Sequence, residues 1–270
     1  MREYSNKITL SRNARGIWSL EPIMGCYNGT KDNPRGCFND CYAAAIARRY
    51  GYDFNKVVRR YFENSRHAIM IEKKINKINM PFVRLGTTGD PSEDWEHTLS
   101  IIDQIKDCKK ELVIITKHWH NLSDRQLRQI CQYNVCINTS VSALDNPEIL
   151  KNGIYQHHRL KPFCKSVLRV VTCDFNTDTL EGKRLSDIQD AILSEDENYI
   201  DTVFRPQKNN PLIIDGIINT KVMKFLKKDM LVSKLNKMTF LGKCAKCPEM
   251  CGVDEARRNM KHKFETIELF

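Results

Sequence analysis

Apolar and polar positions along the 270-residue chain fall into short blocks, strand-like runs alternating with helix-like ones. Ile17–Ile23 is an apolar stretch that runs into Gly25-Cys26, and a Gly/Asn/Pro-rich loop, Tyr27–Gly36, follows. Asp40 offers a cap for a helix that starts near Cys41 and carries Ala43-Ala44-Ala45-Ile46-Ala47. Over 56–77, Val58, Tyr61, Phe62 and Ile69 recur at helical spacing, which predicts a second helix. The pattern then becomes regular. Phe82–Leu85, Leu112–Thr116, Val135–Thr139, Val167–Thr172 and Tyr199–Phe204 read as strands. Between them, helices are predicted over Asp94–Asp107, after a Ser123/Gln126 capping box, from Asn146-Pro147-Glu148, and over Lys183–Leu193. The run Leu112–Thr116 is continuously apolar, as in a strand covered on both faces.

Six strand candidates in such an alternation predict parallel strands joined by right-handed crossovers, hence an α/β fold. Six units are too few for a closed eight-fold barrel, and an open or partial (β/α)6 TIM-like barrel over residues 1–205 fits the count. In such sheets chemistry gathers at the carboxyl ends of the strands. The segments there are Gly25-Cys26, Gly86–Asp90, Lys117-His118-Trp119-His120, Ser140–Ser142, Cys173–Asn176 and Arg205. Beyond Arg205 the alternation stops. Residues 206–270 read as a basic, Cys-bearing C-terminal extension with a helix over Thr220–Lys228.

Composition narrows the class. Hydrophobic residues make up 41% and charged residues 28%, which excludes intrinsic disorder. No apolar run approaches the roughly 20 residues of a membrane helix, and Met1–Lys7 has no apolar core of a secretory signal. A cytoplasmic location with reduced thiols and no membrane partner is expected. The net charge is +10, and residues 205–263 hold 14 Lys+Arg against 5 Asp+Glu. Such a segment attracts polyanions, nucleic acid among them.

The 11 cysteines cannot all pair within one chain. Cys108, Cys131, Cys136, Cys164 and Cys173 lie scattered, mostly beside apolar residues, and read as small hydrophobes. The other six form two groups. Cys244, Cys247 and Cys251, spaced C-x2-C-x3-C, suit an auxiliary iron–sulfur cluster or a zinc ion with a fourth ligand such as His262. Cys26, Cys37 and Cys41 are spaced C-x10-C-x3-C. A structural zinc would need a fourth ligand from elsewhere. A cubane cluster held by three thiolates keeps one iron open for a further ligand.

At these residues the chain resembles the radical SAM superfamily. Gly25-Cys26, Gly36-Cys37-Phe38-Asn39-Asp40-Cys41-Tyr42-Ala43 and Gly86–Asp90 carry the resemblance, in the same order of strand, three-Cys loop, helix and repeated βα units. The Cys block is most similar to compact phage-type members, and Thr116-Lys117 resembles those and spore photoproduct lyase. The resemblance covers roughly Ile17–Arg205, and the spacing departs from the family's usual C-x3-C-x2-C. It implies a [4Fe-4S] cluster on Cys26, Cys37 and Cys41 whose open iron binds S-adenosyl-L-methionine (SAM). It also implies reductive cleavage to a 5′-deoxyadenosyl radical, hydrogen abstraction from a substrate, and a reductase or flavodoxin-type electron donor. Phe38 or Tyr42 would flank the adenine. Gly86, Thr87, Thr88, Gly89 and Asp90 would meet the methionine amino group, with Asp90 as the carboxylate. Thr139, Ser140 and Ser142 would meet the ribose, and Lys117 and Arg205 the SAM carboxylate or the substrate.

The expected function is therefore radical SAM chemistry on a nucleic acid or other anionic substrate. The alternatives are the same chemistry on a peptide or small molecule, or a zinc-stabilised nucleic-acid-binding protein without turnover. No Gly-x-Ser-x-Gly hydrolase elbow and no phosphate loop of the Gly-Lys-Ser/Thr type is present. His118-Trp119-His120 reads as a packing segment and His157-His158 as structural at a helix end.

Overall fold

The computed structural model describes residues 2–13, 16–29, 41–172, 174–195 and 199–203, together with 213–215, 230–232, 239–241, 247 and 250–253. The chain opens with β1 (Leu10–Arg12), β2 (Trp18–Leu20), β3 (Ile23–Met24), α1 (Tyr42–Arg49), β4 (Val58–Arg59) and α2 (Ser65–Lys77). Strands and helices then alternate as β5 (Phe82–Leu85), α3 (Trp95–Asp103), β6 (Glu111–Thr116), α4 (Asp124–Ile130), β7 (Val135–Val141), α5 (Pro147–Leu160) and β8 (Lys165–Thr172). After β9 (Asp174–Phe175) come α6 (Leu180–Ser194), β10 (Tyr199–Val203) and three short strands, β11 (Ile213–Asp215), β12 (Met230–Val232) and β13 (Thr239–Leu241).

The principal sheet has seven strands in the order β1-β2-β5-β6-β7-β8-β10. Only β1 is antiparallel to its neighbour; every pairing from β2 onward is parallel. This is an α/β fold, and all six expected strands lie in its parallel part. The strand order is the chain order. Doubly wound sheets instead reverse direction at a switch point. With six strands pointing the same way, the loops after them gather along one edge.

Side chains alternate across a strand, so the pairing register sorts the sheet into two faces. Thr139, Val141, Leu168 and Val170 share one face. There, Gly153 of α5 lies against Val141 and Thr139, and Leu185 and Ile192 of α6 join Val141, Leu168 and Val170 in one apolar cluster. Arg84, Val113, Cys136, Asn138 and Val167 occupy the opposite face. Residues 250–252 of the C-terminal extension pack there: Asn138 Nδ2 donates to the Cys251 carbonyl at 3.1 Å, and Gly252 sits on Val167. Both faces of the central strands are thus covered, which is why Leu112, Val113, Ile114, Cys136 and Ile137 are all buried.

Local signals act where expected in most places. Ser123 and Gln126 form both arms of the capping box on α4. Asn146 caps α5 with Pro147 in its first turn. Two expectations are corrected. Residues 56–77 do not form one helix, because Val58–Arg59 pair antiparallel with Ile23–Met24 and the Arg60 N–H donates to the Pro22 carbonyl. The helix begins only after Asn64, whose side chain accepts from the His67 N–H at 2.9 Å. At α1 the cap position belongs to Cys41, and no side chain caps it. The helix expected over Thr220–Lys228 lies outside the described residues.

Among the scattered cysteines, Cys108 and Cys136 are buried and Cys164 is half-buried, whereas Cys131 is exposed on the end of α4. Cys173 lies outside the described residues. Among the described residues no helix is long and apolar enough to cross a membrane.

Candidate functional site

The loops after β2 and β5 meet at the carboxyl edge of the sheet. Gly25 and Gly89 form a bridge between them, and the Gly25 N–H donates to the Thr88 carbonyl at 3.2 Å. Both positions need glycine. A Cβ on Gly89 would stand 2.5 Å from the Ile23 carbonyl oxygen and 2.8 Å from that of Gly25. Gly25 itself has φ +77° and lies under the Lys56 and Phe54 carbonyls. This close approach brings Cys26 beside the Gly86–Asp90 loop, near enough for the Asp90 charge to act on its thiol.

Cys26 belongs to a small apolar cluster with Ala44, Ala47 and Phe54, against which the half-buried Cys41 packs, as do Tyr4, Tyr52 and Trp119. Two of the three cysteines of the first group, 15 residues apart in sequence, are thus brought together. Cys37, between them, lies outside the described residues, as does Phe38. Tyr42, at the start of α1, is exposed. The Cys26 Sγ–H donates to Glu93 Oε1 at 3.1 Å, and the same oxygen accepts from the Tyr27 N–H at 3.1 Å and Asn28 Nδ2 at 3.4 Å. Burial, followed by the nearby Asp90 and Glu93 carboxylates, pushes the Cys26 thiol well above the usual range. Without a metal the group is therefore a protonated thiol. Metal binding releases that proton, and Glu93 Oε1 is the acceptor nearest to it.

Two buried carboxylates build the loop rather than face the opening. Asp90 Oδ1 accepts from the Ser92 N–H and Oγ–H and from Thr116 Oγ–H at 2.7 Å, while its Oδ2 accepts from the Lys117 N–H at 2.9 Å. Asp90 thus caps the turn Pro91–Glu93 and ties it to the end of β6. Glu21, after β2, accepts from the Gly86 N–H at 3.0 Å and from both the N–H and Oγ–H of Thr87. Thr88 Oγ–H points to the Met24 sulfur. Burial raises the carboxyl pKa of both Asp90 and Glu21, and their hydrogen bonds pull the other way. Glu93 is the carboxylate that reaches Cys26.

The next loops are equally occupied. Lys117 Nζ bonds both oxygens of Asp145 at 2.7 Å and the Ser140 carbonyl at 3.3 Å, and the Ser142 N–H donates to Asp145 at 2.8 Å. The Ser142 hydroxyl accepts from the Leu144 N–H. Thr139 lies on the helix-covered face, its Oγ 3.0 Å from His118 Nε2. Ser140 shares the opposite face with Arg169 and is half-buried. Arg205 lies outside the described residues.

His118 is 1% exposed, adopts φ +53°, and has no partner at Nδ1. Burial holds its pKa down to about 3, with His157 adding to the effect. The native ring stays neutral, whereas the unfolded ring takes up a proton near pH 6.5. Stability therefore falls as pH drops below about 6.5, by about 2 kcal/mol between pH 7 and 5. His118→Asn tolerates the left-handed backbone and removes the titration. The difference in unfolding free energy between wild type and this variant, measured in urea at both pH values, should change by that amount. A pH-independent difference would contradict it.

Of the second Cys group, Cys247 and Cys251 are described. Cys251 is buried on the sheet face opposite α5 and α6, where Arg84 Nη2 donates to its Sγ at 2.6 Å. Cys247 is half-buried, and Cys244 and His262 lie outside the described residues. Lys165, at the amino end of β8, reaches the Val253 carbonyl at 3.4 Å. Residues 250–253 therefore meet the sheet toward the amino end of β8. Among the described residues no three His, Cys, Asp or Glu side chains already form a metal-ligating set.

The residue types alone singled out Asp90 but passed over Glu21, Glu93 and Asp145. One signal for Asp90 was present: Asp followed by Pro and Ser is a helix-start pattern. No protein-family model matches the chain, and no curated protein is similar to it in sequence.

Proposed function

We propose that the chain is a radical SAM enzyme built on a partial (β/α)6 barrel, acting on a nucleic acid or another anionic substrate. The observation that carries this reading is the convergence of Cys26 and Cys41 on one cluster next to the Gly25–Gly89 contact. The chain-order sheet, with α5 and α6 on one face, supports the barrel. The donor set fits a [4Fe-4S] cluster: two thiols already share an apolar pocket, and the third follows on the loop between them. Such a cluster, given an electron by a reductase or flavodoxin-type donor, supplies the one-electron cleavage of S-adenosyl-L-methionine. Cys26, Cys37 and Cys41 hold it. Phe54, Ala44 and Ala47 exclude water around the thiolates. Glu93 Oε1 is the acceptor nearest the proton that Cys26 loses on metal binding; with that proton passed on to solvent, the Glu93 carboxylate would meet the SAM amino group, in place of Asp90. Lys117 orders the Ser140–Asp145 loop through Asp145 instead of contacting SAM. The second Cys group, whose Cys251 bonds Arg84, would hold an auxiliary cluster or zinc.

Iron and acid-labile sulfide per chain after anaerobic purification test the reading. Wild type should carry both, and a Cys26/Cys37/Cys41→Ala triple variant should lose about four iron and four sulfide per chain. With dithionite and SAM, wild type should form 5′-deoxyadenosine and the triple variant none. Zinc without sulfide in wild type would replace this reading with the zinc-stabilised binding protein.

A further inference from the structure

The face of α2 turned away from the core carries none of the candidate site residues. His67, Ala68, Ile71 and Ile75 bury the other face. Arg66, Ile69, Met70, Lys73, Lys74 and Lys77 are exposed, and these six residues line a shallow groove of about 340 Å³. Their spacing, i, i+3, i+4, i+7, i+8 and i+11, places them on one stripe roughly 16 Å long. Ile69 is 50% and Met70 43% exposed, at positions where an amphipathic helix of a monomer carries polar residues. Among the described residues none of the four cations has an ion-pair partner, although exposed cations elsewhere do, such as Lys7 with Glu63 and Arg184 with Glu181. The stripe thus combines an apolar centre with unneutralised positive charge on both sides.

We propose that this stripe of α2 is a binding surface for single-stranded nucleic acid. Phosphates suit the four cations, and the net charge of +10 favours a polyanion over the long range. The apolar pair separates the strand forms. A duplex presents phosphates and hides the faces of its bases, so Ile69 and Met70 would gain nothing from it. A single strand offers unstacked bases to an apolar centre while its backbone runs past the cations. An anionic membrane would also attract the charges, but two apolar side chains in one short stripe bury too little for stable insertion. The proposal does not depend on the radical chemistry, because it concerns binding alone.

Fluorescence anisotropy with a labelled 20-nucleotide single strand, over 50–200 mM salt, tests it on the full chain. Four phosphate contacts steepen the salt dependence by about 2.8 in log–log slope, equivalent to a roughly 50-fold affinity loss across that range. An Arg66/Lys73/Lys74/Lys77→Gln variant should lose that share of the slope and keep its circular dichroism spectrum and melting temperature. Ile69→Ser/Met70→Ser should weaken the single strand at least threefold and leave a duplex of the same length unchanged. Three outcomes would overturn the proposal. One is no binding by wild type, and another is an unchanged slope in the four-cation variant, which would move the contact to the basic C-terminal third. The third is equal affinity for poly-glutamate or anionic vesicles, which would mark a charge-only surface for acidic protein or lipid.

Discussion

Gly25→Ala is expected to destabilise the chain by at least about 3 kcal/mol and to abolish metal loading at the first Cys group. Two costs combine. The backbone at Gly25 has φ +77°, where an L side chain is strained by about 1–2 kcal/mol. In addition, the new Cβ would collide with the Lys56 carbonyl and stand 2.9 Å from that of Phe54. Those carbonyls are not free to retreat, since the Phe54 oxygen accepts the Cys26 N–H at 2.8 Å. Relief of the clash must lift Cys26 away from Phe54, from the Gly89 contact, or from both. Gly51→Ala is the control. Gly51 has a similar φ of +78°, but nothing lies within 4 Å of its Cβ position, so it reports the backbone cost alone. Thermal unfolding of the two variants separates the contributions. At about 2–4 °C per kcal/mol, Gly25→Ala should melt at least 6 °C below wild type and several degrees below Gly51→Ala. Equal melting temperatures would show that the loop yields, and full iron content in Gly25→Ala would show that the contact does not hold the cysteines.

The contrast between fold and site follows from how far each signal acts. The strand–helix alternation is legible because burial on both faces is written into each strand as a continuous apolar run, Leu112–Thr116 most clearly. The Ser123/Gln126 and Asn146-Pro147 signals act within a few residues, so they carry over intact. The stretch 56–77 fails for the opposite reason. Val58, Tyr61 and Phe62 do recur at helical spacing, but Ile23–Met24 supplies a pairing partner 35 residues upstream, and tertiary pairing overrides a local period. Site chemistry is less legible still. A cysteine group announces itself by type and spacing, so Cys26 and Cys41 could be expected to converge. A carboxylate does not announce what it will bind. Asp90 reads as a ligand from its place after a strand, yet four hydrogen bonds turn it inward. Glu93, three residues on, reaches Cys26 only because the Pro91–Glu93 turn swings it back. Glu21 reaches Gly86 and Thr87 from a different strand, 65 residues away.

Lys117→Met is the second substitution with a large expected effect, a loss of about 3–5 kcal/mol. Lys117 and Asp145 are 12% and 6% exposed, and the ammonium holds both carboxylate oxygens at 2.7 Å. Removing the cation leaves Asp145 buried with the Ser142 N–H as the partner that remains in its own loop. A buried ion pair adds little net stability, but half of one is costly, since the remaining charge has lost its compensation and cannot regain water. The double variant Lys117→Met/Asp145→Asn should therefore be more stable than Lys117→Met alone, because the amide oxygen still accepts from Ser142 without a buried charge. A double-mutant cycle by urea unfolding should give a coupling of about 2–3 kcal/mol. The same variants decide what Lys117 does for function. If its work is to order the Ser140–Asp145 loop through Asp145, Asp145→Asn should weaken SAM binding about as much as Lys117→Met does. If Lys117 instead met the SAM carboxylate directly, Asp145→Asn would leave the ammonium in place, and binding would fall only in Lys117→Met. Isothermal titration of SAM against the three anaerobically purified variants separates the two.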